Sequence, residues 1–271
     1  MRAFGVAVLA SASFLVPPAL PQTADWSKVL HDLVNRENPA VKAAAAKQFF
    51  ETLLPILQTE SAISLEKDIR SIALLLNDQD AEIRVQASGV LYTLTVVRQD
   101  TAETLKAAFS ALSSHFQDSA ARVRGNVART VAGLKPNIPH EALSMLIGSS
   151  HDKDPEVRGA SIYGIARTAS QSQDARQALL SLLREPDVTI QLEVLRDIGF
   201  GKVQDSSIVA RLRQLLTAKD PPIVKATIDA LANLGSGAAP ARPELERIVQ
   251  DGTDKEITRA AATVIANIDR H

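Results

Sequence analysis

Five histidines, no cysteine and thirty-one carboxylates are what this chain of 271 residues offers to chemistry. The histidines are His31, His115, His140, His151 and His271, and no two stand three or four residues apart on a shared helical face. A metal site needs several imidazole and carboxylate ligands converging from neighbouring turns. His140-Glu141, the one His-Glu dipeptide, follows Pro139 at a helix start and cannot supply such a set by itself. We expect no metal and no cofactor. The lack of cysteine excludes disulfides, zinc fingers, iron–sulfur clusters, thiol catalysis and anchoring through cysteine. Serines are many, yet none lies in a Gly-x-Ser-x-Gly elbow; Ser88 and Ser161 fall among small, buried positions. Gly199-Phe200-Gly201-Lys202 has the composition of a phosphate loop without its strand or spacing, and reads as a helix C-cap and turn. We expect no enzyme. The chain is read as a surface, and the question becomes what holds that surface.

The answer is a phrase that returns seven times. It reads Pro39-Ala40-Val41-Lys42, Glu82-Ile83-Arg84, Arg122-Val123-Arg124, Glu156-Val157-Arg158, Thr189-Ile190-Gln191, Pro222-Ile223-Val224-Lys225 and Glu256-Ile257-Thr258. Its last residues are spaced by 42, 40, 34, 33, 34 and 33 (84 − 42, 124 − 84 and so on). A period of that length marks a solenoid, whose units bury their apolar faces only against one another. The composition agrees: 45% of residues are hydrophobic and only 4% aromatic, so the core is aliphatic, as closely packed helices require.

Each phrase opens a helix. Asp154-Pro155-Glu156 supplies an N-cap oxygen, a proline at the first helical position and a negative charge where the helix dipole favours one. Asp80-Ala81-Glu82 and Asp254-Lys255-Glu256 do nearly the same. Eight positions after the apolar residue of each phrase stand Phe49, Leu91, Val131, Ile165, Ile198, Ala232 and Ile265, with no charge among them. Gly133, Gly199 and Gly235 follow as C-caps. A second amphipathic stretch precedes each phrase: Trp26–Val34, Leu65–Leu76, Thr101–Phe116, His140–Ile147, Ala175–Leu183, Ser207–Leu216 and Pro243–Val249. Gln58–Ser64 is a polar loop, and Pro55 ends or kinks the helix before it. The expected fold is all-α, an alpha-alpha superhelix of about seven helical pairs forming one domain over residues 25–271.

Asp154-Pro155-Glu156-Val157-Arg158-Gly159-Ala160 resembles the inter-helix turn of HEAT repeats, and more closely the bacterial phycobilisome-lyase-type subtype. The resemblance covers about residues 25–270. Repeats three to seven match best; the first is divergent and the last lacks the basic residue of the phrase. The resemblance implies a structural ladder in which the acidic residue before each second helix pairs with the basic residue inside it. Asp80, Arg84, Arg124, Asp154, Arg158 and Lys225 would be its members. It further implies that the second helices line a concave face.

Two, six and nine positions after each phrase's apolar residue, side chains point away from the buried face. These columns collect Lys47, Phe50, Tyr92, Arg129, Tyr163, Leu192, Arg196, Asn233 and Arg259, with both tyrosines of the protein and no acidic residue. Tyrosine and arginine among small residues suit a binding surface. We therefore expect a mildly basic groove that grips an acidic or extended segment of a partner protein. A lyase-like enzyme or enzyme subunit acting on a prosthetic group or a modified residue is the alternative, and a purely structural spacer another. Thirty basic against thirty-one acidic residues, a net charge of −1, give no excess for nucleic-acid binding.

Arg2 is followed by an uncharged run from Ala3 to Leu20 that includes Pro17-Pro18. It resembles a secretory signal peptide, residues 1–24, in a protein exported to the periplasm or beyond. Neither Ala19 nor Ala24 has the usual small residue three positions upstream, so an uncleaved anchor stays open. If the segment is cleaved, the protein is not integral to a membrane.

Overall fold

The computed structural model of the protein describes residues 69–270, apart from residues 71 and 107 and the segments 98–104 and 135–137. The N-terminal segment, the first helical pair with Lys47 and Phe50, Pro55 and the loop Gln58–Ser64 lie outside the described residues.

Eleven α-helices and no strand appear among the described residues. They alternate between two rows. The second helices of successive repeats are α1 (Ala81–Val97), α3 (Ala121–Ala132), α5 (Pro155–Thr168), α7 (Val188–Gly201), α9 (Pro221–Leu234) and α11 (Lys255–Ile268). The first helices are α2 (Phe109–Ser113), α4 (His140–Ser149), α6 (Gln173–Leu182), α8 (Ser206–Leu215) and α10 (Arg242–Asp251). Each second helix packs on the next second helix, α3 on α5, α5 on α7 and α7 on α9. The chain is an α solenoid.

The starts of the helices follow from their caps. Asp154 accepts from the backbone N–H groups of Glu156 and Val157, Asp187 from Thr189, Asp205 from Ser207 and Ile208, and Asp254 from Glu256 and Ile257. Each satisfies donors that have no partner inside the helix. Asp220 caps nothing with its side chain; Pro222 stands at the second helical position and has no N–H to give there. Between the rows runs one continuous aliphatic core. Leu91, Val131, Ile165 and Ile198 are wholly buried, as are Leu112, Leu146, Leu179 and Leu212 on the opposing helices.

The ends differ in part from the sequence expectation. Gly235 caps α9 in the left-handed region at φ 59°. Gly199, however, is no cap. α7 runs on to Gly201, and Lys202 takes the left-handed position at φ 49°. Gly199 is needed for another reason: a Cβ there would stand 3.2 Å from the Ala230 Cα of α9. The two helices touch backbone to backbone.

Candidate functional site

The exposed face of the second-helix row carries an open groove of about 600 Å³ that crosses α1, α3, α5 and α7. Tyr92, Arg129, Tyr163 and Arg196, one from each helix, line it together with Phe200, Glu156, Glu193 and Asp197. Each of the first four comes from an outward position of its helix, and small neighbours let its side chain lie flat. A Cβ at Gly125 would stand 3.5 Å from an Arg129 guanidinium nitrogen, and one at Gly159 would stand 3.7 Å from that of Arg196.

Contacts within the groove are specific. The Arg129 guanidinium stands 5.9 Å from the Tyr92 ring centre and 3.4 Å from Glu156. Arg167 stands 5.3 Å from the Tyr163 ring and donates to the Tyr163 hydroxyl at 2.8 Å. Arg196 donates to both oxygens of Asp197, at 3.0 and 3.2 Å. Phe200 is 66% exposed, and Tyr163 38%.

Asp197 is only 2% exposed. Burial pushes its carboxyl above the ordinary aspartate value, against the opposing pull of Arg196. Burial likewise raises Glu193, with Arg158 and Arg196 acting the other way. Tyr163 is raised by burial and by the charge of Asp197.

The remaining sequence-selected residues do not join this site. Leu192 is half-buried against the core, and Asn233 donates to the Asp229 carbonyl on α9. Arg259 lies exposed on α11. The expectation of a face without acids is corrected. Three carboxylates line the groove, and α9 adds a fourth to the row, because its register is shifted by one residue. The residue of α9 that occupies the buried place of Val157 is Ile223, three after its cap, so Asp229 stands on the outward column and Ala232 is exposed. The signal was Asp220-Pro221, which matches Asp154-Pro155. Phe200, Glu193 and Asp197 lie one position beyond the columns read from sequence. An aspartate in a column otherwise filled by Val90, Thr130, Gly164, Ala230 and Val264 was the mark of something unusual there.

A ladder of arginines binds successive repeats, with carboxylates other than those expected. Arg84 donates to both oxygens of Asp118 at 2.8 and 3.0 Å, and Arg124 to both oxygens of Asp152 at 2.7 Å. Arg158 reaches Glu193 at 3.4 Å. Each arginine also closes its own inter-helix turn, through the carbonyls of Asp78, Asp118 and Asp152 respectively. Asp80 and Asp154 are helix caps, not rungs. Lys225 pairs with Asp229 on its own helix. Among the described residues no group of three or more His, Cys, Asp or Glu stands together as a metal site would need. His140 and His151 face Asp174 and Glu185 at 3.8 and 3.6 Å, away from the groove.

The profile of the HEAT repeats family matches residues 110–194 and 176–266. No curated protein matches the chain. Among solved structures, an archaeal HEAT-like repeats protein from Thermococcus onnurineus NA1 is similar at 15% identity and a TM-score of 0.58, over 90% of this chain and 97% of that one. Two engineered proteins are similar with TM-scores of 0.52. One is 22% identical over 91% of this chain and 68% of its own, the other 20% identical over 79% and 100%. At such identities the likeness is one of fold.

Proposed function

The chain belongs to the HEAT repeats family, whose profile spans more than half of it, and on that premise we propose that it is a non-catalytic scaffold binding an extended segment of another protein. The observation that carries this reading is the groove itself. It gathers both tyrosines of the chain, a largely exposed phenylalanine and two arginines from four successive second helices. Aromatic and arginine side chains give large contact area and directed hydrogen bonds. Here they are held by a packed solenoid, so little ordering entropy is lost on binding. Carboxylates in the lining remove the reason to expect an acidic partner. Side chains offered once per repeat suit an extended chain better than a globular surface.

We also place the protein outside the cytoplasm. The support is the uncharged run after Arg2. No helix among the described residues is long and apolar enough to cross a membrane. A fusion of residues 1–30 to a reporter active only after export checks this; a fusion that is expressed but inactive overturns it.

The groove is tested by selecting random peptides on the full chain. They are then scored on a Tyr92→Ala, Arg129→Ala, Tyr163→Ala, Arg196→Ala variant whose helicity is checked by circular dichroism. Peptides held by the wild type and lost by the folded variant support the reading. Peptides held equally by both place binding elsewhere and end it.

A further inference from the structure

We infer that the groove seats a basic side chain, an arginine or lysine of the partner segment, between the Phe200 ring and the carboxylates of Glu193 and Asp197. The inference rests on the groove being the binding surface, and it reverses the sign of charge that the sequence columns alone suggest.

Three residues of α7 define the seat. Glu193, Asp197 and Phe200 stand at i, i+4 and i+7, which puts them on one face of the helix, and all three line the groove. The charges around them are unequally satisfied. Both guanidiniums of the lining are engaged, Arg196 by the two oxygens of Asp197 and Arg129 by Glu156 and the Tyr92 ring. An acidic ligand would have to displace those partners. Of the two carboxylates of the seat, Asp197 has both oxygens engaged by Arg196, and Glu193 is left with less. Glu193 receives one long contact from Arg158, at 3.4 Å, and its second oxygen is buried with no hydrogen-bond partner in the protein. A buried acceptor without a donor is costly, and an incoming ammonium or guanidinium removes that cost.

The aromatic rings point the same way. Tyr92 and Tyr163 each already carry a guanidinium near the ring, at 5.9 and 5.3 Å. Phe200 is the most exposed ring of the groove and has no cation over it among the described residues. A cation entering there meets an open ring face on the side of α7 that also carries the Glu193 carboxylate, so both attractions act within one groove. Burial has raised both Glu193 and Asp197, so a cation brought beside them also stabilises their charged forms.

The test uses the full chain and labelled Gly-Ser peptides carrying a central pair of arginines, lysines, glutamates or neither, followed by fluorescence polarisation. The arginine and lysine peptides should bind about tenfold or more tightly than the glutamate peptide, and the preference should shrink as salt rises from about 50 to about 300 mM. Phe200→Ala should weaken arginine-peptide binding by about three- to thirtyfold, and Glu193→Gln by about tenfold. Phe200 is at the surface, so its variant keeps the fold. Glutamate peptides binding as well as arginine peptides would overturn the inference. So would arginine binding that ignores both substitutions, or no binding of the basic peptides. If the fourfold groove variant loses every peptide regardless of charge while F200A and E193Q bind normally, the groove stands and the basic seat falls.

Discussion

Arg124 closes its own turn through the carbonyls of Asp118 and Ser119 and reaches on to both oxygens of Asp152 in the next repeat. With side chains only 8% and 13% exposed, the two are a buried pair. Arg124→Met would strand the Asp152 carboxylate and cost about 3–5 kcal/mol, read as a lowered urea midpoint. The rungs also set a pH dependence. The hydrogen bond from Arg124 holds Asp152 below the ordinary aspartate value. At Asp118 burial acts upward, but hydrogen bonds from Arg84, the Ala120 N–H and His115 prevail and lower it. The unfolded chain therefore holds these protons more tightly. Their stabilisation is present above about pH 4 and is lost as pH falls through the lower folded values. Asp197 has the opposite sign. Its folded value is raised, so its contribution is present at low pH and is lost as pH rises through that value. Asp197→Asn should match or exceed the wild type near neutral pH, with the difference shrinking towards about pH 4 in denaturation at several pH values. A variant clearly less stable at neutral pH would show that Asp197 is needed as a charge. Of these residues the arginines were legible from their recurrence. Asp118 and Asp152 were not chosen, although Asp78, Asp118, Asp152 and Glu185 recur five positions before each phrase's apolar residue. The aspartates two residues later look alike in sequence, and only the reach of the guanidinium separates a cap from a rung.

At the scale of helices, spacing between glycines and their neighbours decides what each junction tolerates. A Cβ at Gly164 on α5 would stand 2.9 Å from the Leu146 Cδ1 of α4 and 3.0 Å from the Ala132 Cβ of α3. Gly164→Ala should cost about 1–3 kcal/mol by overpacking. Gly148 on α4 has open space around it, so Gly148→Ala should instead stabilise by about 0.5–1 kcal/mol through helix propensity. Parallel thermal melts check both signs, and equal effects would refute the packing account. The starts of the helices were legible because Asp, Pro and Glu carry a local mechanism. The rotation of α9 was not: Ile223-Val224 offers two adjacent apolar residues, and Pro221-Pro222 two adjacent prolines. Aligning on the cap, Asp220, resolves what aligning on the apolar residue leaves ambiguous. That single step of register moves Asp229 onto the outward face and Ala232 off the core.

Across the whole molecule the charged links change character along the axis. The Arg84–Asp118 and Arg124–Asp152 links tie a second helix to the turn before the next one, Arg158–Glu193 ties α5 to α7 itself, and all three are nearly buried. From the fifth repeat on, Gln191 and Val224 take the arginine's place, and the links pass to the other row. There Arg176–Asp205 and Arg213–Glu244 join first helices or their caps, and Arg242–Asp269 joins α10 to the end of α11, all more open to solvent. Salt screens exposed pairs far more than buried ones. Hydrogen exchange in about 0.05 and about 0.5 M salt should therefore quicken in α8, α10 and α11 while α3 and α5 keep their protection. A uniform response along the chain would contradict this. The two-row solenoid was legible because its period is written in the sequence. The groove's charge was not, since it depends on how neighbouring helices are turned. The rung from one repeat's arginine to the next repeat's aspartate has a further consequence, for how such a chain lengthens. A tandem copy of residues 118–151 begins with the aspartate that the preceding arginine requires and carries the arginine that the following aspartate requires. Duplication at that boundary leaves every such rung matched, so growth by whole units is open to the section from Arg84 to Asp152. Beyond Gln191 this rung is absent, so the second-helix row there sets no such boundary for a duplicated unit.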